Sequence, residues 1–297
     1  MRWLITGANG QLGQSMSRLL TSHGEEFHAL SSSELDISDE ATVNNVLSAI
    51  KPDVVVNAAA YTAVDKAESE HDSAYKVNET GPALLASWCA GNTAHFIHVS
   101  TDYVFSGEGR IAWKETDAVD PQSVYGASKL AGEQAVFKIC PEAIILRTAW
   151  VFSEYGNNFV KTMVKLAQQR DQLSVVADQI GCPTYAGDIA RAIYSLMQQR
   201  EKKGKVEVKG LYHFAGDIAV SWWAFAREIH QQALAVGLIE RCPTLGAIPS
   251  SEYPTPATRP VFSVLDCSKV VAAGVEPSNW KAGLQAVLES IKAEGVR

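Results

Sequence analysis

A doubly wound α/β fold, with a parallel sheet and a smaller C-terminal body, is the architecture this sequence predicts. Three features carry the expectation: short, nearly continuous apolar runs, longer helical patterns between them, and a glycine turn directly after the first run. Near-continuous apolar runs suit strands buried on both faces, as in a parallel sheet. Strand–helix alternation then implies right-handed crossovers.

The elements follow in order. Trp3-Leu4-Ile5 reads as the first strand, and residues 11–22 as the helix opened by the glycine turn. Residues 27–30 form the second strand. The acidic pair Asp39-Glu40 suits a helix start at 39–51, which Lys51-Pro52 closes. Val54-Val55-Val56 is the third strand, residues 72–90 a helix, 96–99 the fourth strand, 125–139 a helix and 144–146 the fifth strand. After Arg147 the rhythm loosens. Helices are expected at 157–169, 186–199 and 221–236, the last with Ser221 as N-cap. Short strands are expected at 173–176 and 211–214. The stretch 243–260, rich in Pro, Ser and Thr, is expected to be irregular.

Composition narrows the class. A chain of 297 residues holds one large domain or two smaller ones, and 46% hydrophobic with 20% charged residues is ordinary for a soluble globular enzyme. No apolar run is long enough to span a bilayer, and the run at Trp3–Ile5 is too short for a signal peptide, so no membrane contact and a cytoplasmic location are expected. A net charge of −7 without a local basic patch argues against nucleic acid. The five cysteines are scattered without CxxC spacing, and the seven histidines show no ligand cluster. Reduced structural thiols and no protein-built metal site are expected.

Gly7-Ala8-Asn9-Gly10-Gln11-Leu12-Gly13 is a GxxGxxG turn between strand and helix. Glycines there permit a tight turn, close backbone approach to a pyrophosphate and close helix–strand packing. The following helix start offers N–H groups to the anion. A dinucleotide on a Rossmann-type sheet is the expectation. Sites selective for NAD place a carboxylate at the end of the second strand; here Ser31-Ser32-Ser33 stand there, with Glu34 later. NADPH is favoured and NADH admitted. Asp36-Ile37 would flank the adenine, or Asp36 is a turn residue.

Tyr125-Gly126-Ala127-Ser128-Lys129 puts Tyr125 and Lys129 one helical turn apart on one face. A nearby ammonium is expected to lower the phenol's proton affinity towards working pH. The spacing recurs by chance on exposed helices, so context decides. Val99-Ser100-Thr101-Asp102 ends an apolar strand at the carboxyl edge of the sheet, where such sheets bind ligands. Thr101 could donate to a substrate carbonyl or to the tyrosine hydroxyl, or merely bond a turn.

Together with Asn57-Ala58-Ala59-Ala60-Tyr61-Thr62 and Ser100-Thr101-Asp102-Tyr103-Val104-Phe105, these motifs resemble the extended short-chain dehydrogenase/reductases. Ala63-Val64-Asp65-Lys66-Ala67-Glu68, Asn157-Asn158-Phe159, Gly181-Cys182-Pro183-Thr184 and the run from Tyr253 to Pro260 sharpen the likeness to the dTDP-4-dehydrorhamnose reductase family across nearly the whole chain.

The resemblance implies reduction of the C4 ketone of a dTDP-linked 6-deoxy-4-ketohexose, dTDP-4-dehydro-L-rhamnose to dTDP-L-rhamnose. It implies Gly10, Gln11 and Leu12 at the pyrophosphate, Asp36 and Ile37 at the adenine, and Ala60, Tyr61, Thr62 and Val99 along the cofactor. Tyr125 would protonate the C4 oxygen, and Lys129 would tune Tyr125 and hold the nicotinamide ribose. Thr101, Asp102 and Trp150 match sugar-nucleotide positions, with a core aromatic as the other reading of Trp150. Arg259 suits a diphosphate by charge and geometry.

Some family members are magnesium-dependent dimers built on acidic residues. Ser15 and the sparse Gly187-Asp188-Ile189-Ala190-Arg191 stand at those places here, so no metal is expected, and a homodimer stays open. The implied division is a dinucleotide-binding domain over 1–150, with parts of 183–215 returning to it, and a substrate-binding domain over 151–297.

Two rivals share these motifs. A dehydratase or epimerase of the superfamily would carry the same turn and YxxxK, but dehydratases usually add a glutamate after the aspartate, where this chain has Tyr103. A non-catalytic regulatory subunit on the same fold would not need Thr101, Tyr125 and Lys129 intact.

Overall fold

The computed structural model describes residues 1–204 and 207–295. Six parallel strands form the central sheet: β1 (Arg2–Thr6), β2 (Glu26–Leu30), β3 (Val54–Asn57), β4 (His95–Thr101), β5 (Ile144–Thr148) and β6 (Gly210–His213). Their spatial order is β6-β5-β4-β3-β1-β2. The order reverses between β1 and β3, and a crevice at the carboxyl ends of these strands is where such sheets take ligands. β6 comes from the C-terminal half and pairs in register with β5, Leu211 opposite Ile145.

Alternation along the strands sorts side chains to two faces. Trp3 and Ile5 of β1 pack with Val54, Val56 and Ile97 under α1 (Gln11–Ser22), through Leu12, Met16 and Leu20. Leu4, Val55, Phe96 and Ile145 point the other way, under α2 (Glu40–Ile50) and α3 (Gly81–Gly91). The helix α4 (Val124–Ile139) adds Val136 to that layer. Asp39 caps α2 by accepting from the Thr42 N–H at 2.9 Å, and Lys51 ends it in the left-handed region at φ 52°.

The helix expected over 72–90 is broken. It runs as His71–Tyr75, a single π-helical stretch at Lys76–Thr80, then α3. Pro82 has no N–H to give to the Asn78 carbonyl four residues back, so the ladder slips there. The slip has a consequence for the site. Asn78 accepts from the Tyr61 N–H at 2.9 Å and donates to the Tyr61 carbonyl at 3.1 Å and to Ser128 at 3.0 Å. One amide thus ties the loop after β3 to the N-terminal part of α4.

The rest of the chain packs around α5 (Phe159–Gln169), α7 (Trp222–Ala235) and α8 (Trp280–Glu294), while α6 (Ala186–Lys203) lies beside α1 on the sheet. Ser221 caps α7, accepting from the Ala224 N–H at 3.1 Å. The region 243–260, expected to be irregular, contains a strand at Thr244–Ile248 that pairs in parallel with Gln172–Val176. Leu245 covers the core there, and the pairing joins segments about seventy residues apart in sequence, beyond the reach of local patterning.

Candidate active site

The crevice opens over the glycine turn. Gly7 has φ +68°, and a Cβ on it would lie 2.9 Å from the Ala59 backbone. Only glycine fits. A Cβ on Gly13 would sit 2.2 Å from the Gly7 carbonyl oxygen, so Gly13 sets how closely α1 approaches the turn. Gly10 occupies the N-cap of α1 with no side chain capping the helix, leaving its first N–H groups for an anion.

A cleft of about 640 Å³ runs from this turn to the end of β4. Gly7, Gly10, Gln11 and Leu12 line one end, Asp36 and Ile37 the adjacent wall, Ala60, Tyr61 and Thr62 the floor, and Val99, Tyr125 and Lys129 the far end. Gly13 alone of the expected cofactor residues does not line it. Its part is the packing just described. Asp36 is both wall and turn residue, since its carboxylate accepts from Ser38 N–H at 2.9 Å and from the Ser38 hydroxyl at 2.6 Å. Ser31 and Ser32 also line the cleft, and the Ser31 hydroxyl donates to Glu34 at 2.6 Å.

The Tyr125 helix reaches the cleft through two glycines. A Cβ on Gly126 would lie 2.2 Å from the Tyr103 carbonyl, and one on Gly132 2.0 Å from the Asn78 carbonyl. Close approach sets α4 against the turn after β4, where Ser123 caps it by accepting from Gly126 N–H at 3.2 Å. Lys129 is 2% exposed. Its ammonium donates to the Val99 carbonyl at 2.7 Å and lies 3.4 Å from His98 Nε2.

The electrostatics differ from the sequence expectation. Burial pushes Tyr125 up, to about 12, against a hydrogen bond with Thr101 that pulls it down. Burial brings Lys129 down to about 8, partly offset by Glu133. The pair is therefore poised with the phenol protonated, the form a proton donor requires, and not as a phenolate held by an adjacent ammonium.

Thr101 and Asp102 are buried beneath the cleft wall, not on it. The Thr101 hydroxyl donates to Asp102 at 3.0 Å and contacts Tyr125, so it acts on the phenol from behind. Burial raises Asp102 to about 6. Trp150 adopts φ 46°, rare for a bulky residue, and its ring stacks on Trp222 with centroids 3.5 Å apart. It stands between two hollows: Val151 lines the first cleft, and Trp222 lines a second of about 780 Å³.

Arg259 lines that second cleft, but its guanidinium is engaged. It makes a two-pronged pair with Asp65 at 3.1 and 2.8 Å, and Asp65 also accepts from Ala257 N–H. The pair staples the C-terminal loop to the short helix Val64–Ala67 that follows β3. Two residues carry no sequence signal: Ser100 and Thr148, on adjacent strands, line the first cleft, and their hydroxyls are buried without partners. Serine and threonine at strand ends carry no distinguishing local signal.

A parallel sheet with an uncapped glycine turn, and a tyrosine and lysine one helical turn apart at its carboxyl edge, define a nucleotide-cofactor oxidoreductase of the short-chain type. Within that class, the family model of the RmlD substrate binding domain matches residues 1–293, and the chain belongs to this family. A dTDP-4-dehydrorhamnose reductase of Aggregatibacter actinomycetemcomitans is 49% identical over 96% of this chain and 97% of its own. The crystal structure of a dTDP-4-dehydrorhamnose reductase from Clostridium acetobutylicum superposes with a TM-score of 0.90 at 38% identity, covering 98% of this chain and all of the other. One from Bacillus anthracis, in complex with NADP, gives 0.88 at 34% identity, covering 99% of each chain.

Proposed function

We propose that this protein reduces the C4 ketone of a dTDP-linked 6-deoxy-4-ketohexose, converting dTDP-4-dehydro-L-rhamnose to dTDP-L-rhamnose with NADPH, NADH also serving. The observation that carries the reading is the convergence of the glycine turn, Tyr125 and Lys129 on one 640 Å³ cleft. The residues fit the cofactor: a glycine cradle that a single Cβ would fill, a helix start free for the pyrophosphate, and apolar Ile37 beside the adenine position. When bound, the nicotinamide supplies hydride to the sugar carbon.

The chain's own side chains do the rest. Tyr125, protonated in the free protein, gives its proton to the C4 oxygen as that oxygen becomes an alkoxide. The Thr101 hydroxyl, which donates its proton in a hydrogen bond to Asp102 in the free protein, would turn that proton to Tyr125 to steady the phenolate left after transfer. Lys129, its ammonium held on the Val99 carbonyl one helical turn from Tyr125, adds a positive charge that favours the phenolate left behind. Asp102 buttresses Thr101. The second cleft, walled by Trp222 and Arg259, takes the nucleotide end of the substrate, with Trp150 at the junction beside the sugar. The division into a dinucleotide-binding part over 1–150, with β6 and α6 returning to it, and a substrate-binding part over 151–297 belongs to the same proposal. So do a homodimer and a cytoplasmic location, which sedimentation and fractionation test. Among the described residues no helix is long and apolar enough to cross a membrane.

The experiment is to follow NADPH and NADH absorbance with the 4-ketosugar nucleotide and identify the product's stereochemistry. Stoichiometric oxidation of the cofactor with formation of the L-rhamno alcohol supports the reading; no consumption, with tightly retained oxidised cofactor, opposes it.

A further inference from the structure

A file of buried polar side chains crosses the sheet beneath the cleft, one from each of β1, β3, β4 and α4. The Thr6 hydroxyl donates to Asn57 Oδ1 at 2.6 Å, Asn57 Nδ2 meets His98 Nδ1 at 3.0 Å, and His98 Nε2 faces Lys129 Nζ at 3.4 Å. Asn57 and His98 are fully buried, and Thr6 is 1% exposed. Such a file has a direction, because each group has a fixed count of donors and acceptors.

The direction starts at Thr6. Its oxygen already accepts from the Ala59 N–H at 3.1 Å, so its own proton is free to go to Asn57. That fixes the amide with Oδ1 towards Thr6 and Nδ2 towards His98. His98 Nδ1 is then an acceptor, and the ring's one proton sits on Nε2, aimed at Lys129. The reverse arrangement would leave the Thr6 hydroxyl proton without an acceptor. Burial and the Lys129 charge hold His98 neutral.

We infer that His98 is a positioning residue for the reduction, presenting an Nε2–H to Lys129 and so setting both the place of the Lys129 nitrogen and its readiness to lose a proton. A ring N–H opposes an ammonium and welcomes an amine. The charged group that acts on Lys129 besides is Glu133, one turn further along α4 and clamped by Arg147 of β5, while Tyr125, one turn earlier, lines the same cleft. Glu133 favours the ammonium; His98 and burial oppose it. Lys129 is thus a weaker base than a free lysine, brought down to about 8. The inference rests on the proposed reduction for its kinetic consequence, but the file itself does not.

His98→Asn keeps an acceptor for Asn57 and deletes the group facing Lys129. The alkaline limb of kcat/KM for the ketosugar, where the ammonium is lost, should move up by about one pH unit, with the dissociation constant for NADPH at pH 7 within about threefold of the parent. His98→Gln, which restores a polar group near Lys129, should bring the limb part of the way back. A limb that stays in place or moves down overturns the inference. Nitrogen-15 NMR of the histidine rings in the parent protein decides the tautomer without any turnover or variant. A protonated Nε2 on His98 supports the file as drawn, and a protonated Nδ1 overturns it. A parent that turns over no ketosugar while showing the Nε2–H tautomer would remove the reductase reading and leave the file standing.

Discussion

Replacing Gly13 by alanine tests the cofactor turn through a contact that can be read from the structure. The added methyl carbon would lie 2.2 Å from the Gly7 carbonyl oxygen and 2.8 Å from Ala8 Cα. Both are backbone, so no side chain can swing aside. The first is about 1 Å inside any contact a methyl tolerates, and overpacking of this kind costs about 1–3 kcal/mol. Part of the strain is relieved by pushing the start of α1 outward, which moves the N–H groups that face the pyrophosphate. At about 1.4 kcal/mol per tenfold, the dissociation constant for NADPH should rise by roughly tenfold to a hundredfold, with the melting temperature down by several degrees. Quenching of tryptophan fluorescence by NADPH and a thermal melt read the two effects. Gly91→Ala is the control, since a Cβ there meets nothing within 4 Å, and it should leave the affinity unchanged. A Gly13→Ala protein that binds NADPH as the parent does would refute the geometry assigned to the turn.

Three further outcomes follow from named contacts. Glu133 and Arg147 form a buried two-pronged ion pair at 2.8 and 2.6 Å, each side chain 3% exposed. Glu133→Gln leaves a buried guanidinium half-compensated and should cost about 3–5 kcal/mol, lowering the melting temperature by roughly 10 °C; a shift under about 2 °C would deny the pair its weight. Asp102, raised to about 6 in the fold against about 3.9 unfolded, contributes stability that is full below pH 4 and lost as pH rises through 6. Asp102→Asn does not titrate, so its melting temperature relative to the parent should climb between pH 4 and pH 7; a constant difference contradicts the burial argument. Arg259→Ala should raise KM for the nucleotide sugar while leaving NADPH affinity alone, whereas an unchanged KM would confine Arg259 to stapling the loop through Asp65.

What the sequence disclosed, it disclosed through local pattern. The strands at Trp3, Val54, Phe96 and Ile144 announced themselves because burial on both faces leaves little polar alternation, and the turn at Gly7 because three glycines fall between a strand and a helix. Tyr125 and Lys129 were legible as one helical face. What stayed hidden depends on partners far along the chain. Arg259 reads as a free cation until Asp65, 194 residues earlier, is placed beside it. The strand at Thr244–Ile248 shows only against Gln172–Val176. The protonation of Tyr125 is only half legible, because neighbouring charge is visible in sequence and desolvation is not. Two further features do carry local signals: Pro82 marks the break in the long helix, and Asn279 before Leu284, Val287, Leu288 and Ile291 marks α8, which Asn279 caps at 3.1 Å.

The most direct test of the whole account is Tyr125→Phe, assayed with NADPH and the 4-ketosugar nucleotide beside a titration of NADPH binding. Only a hydroxyl is removed, so the cleft keeps its shape, and the proton supply to the C4 oxygen is lost. kcat should drop by about a hundredfold to ten-thousandfold, with NADPH affinity within about threefold of the parent. Parental turnover in the phenylalanine protein would contradict it.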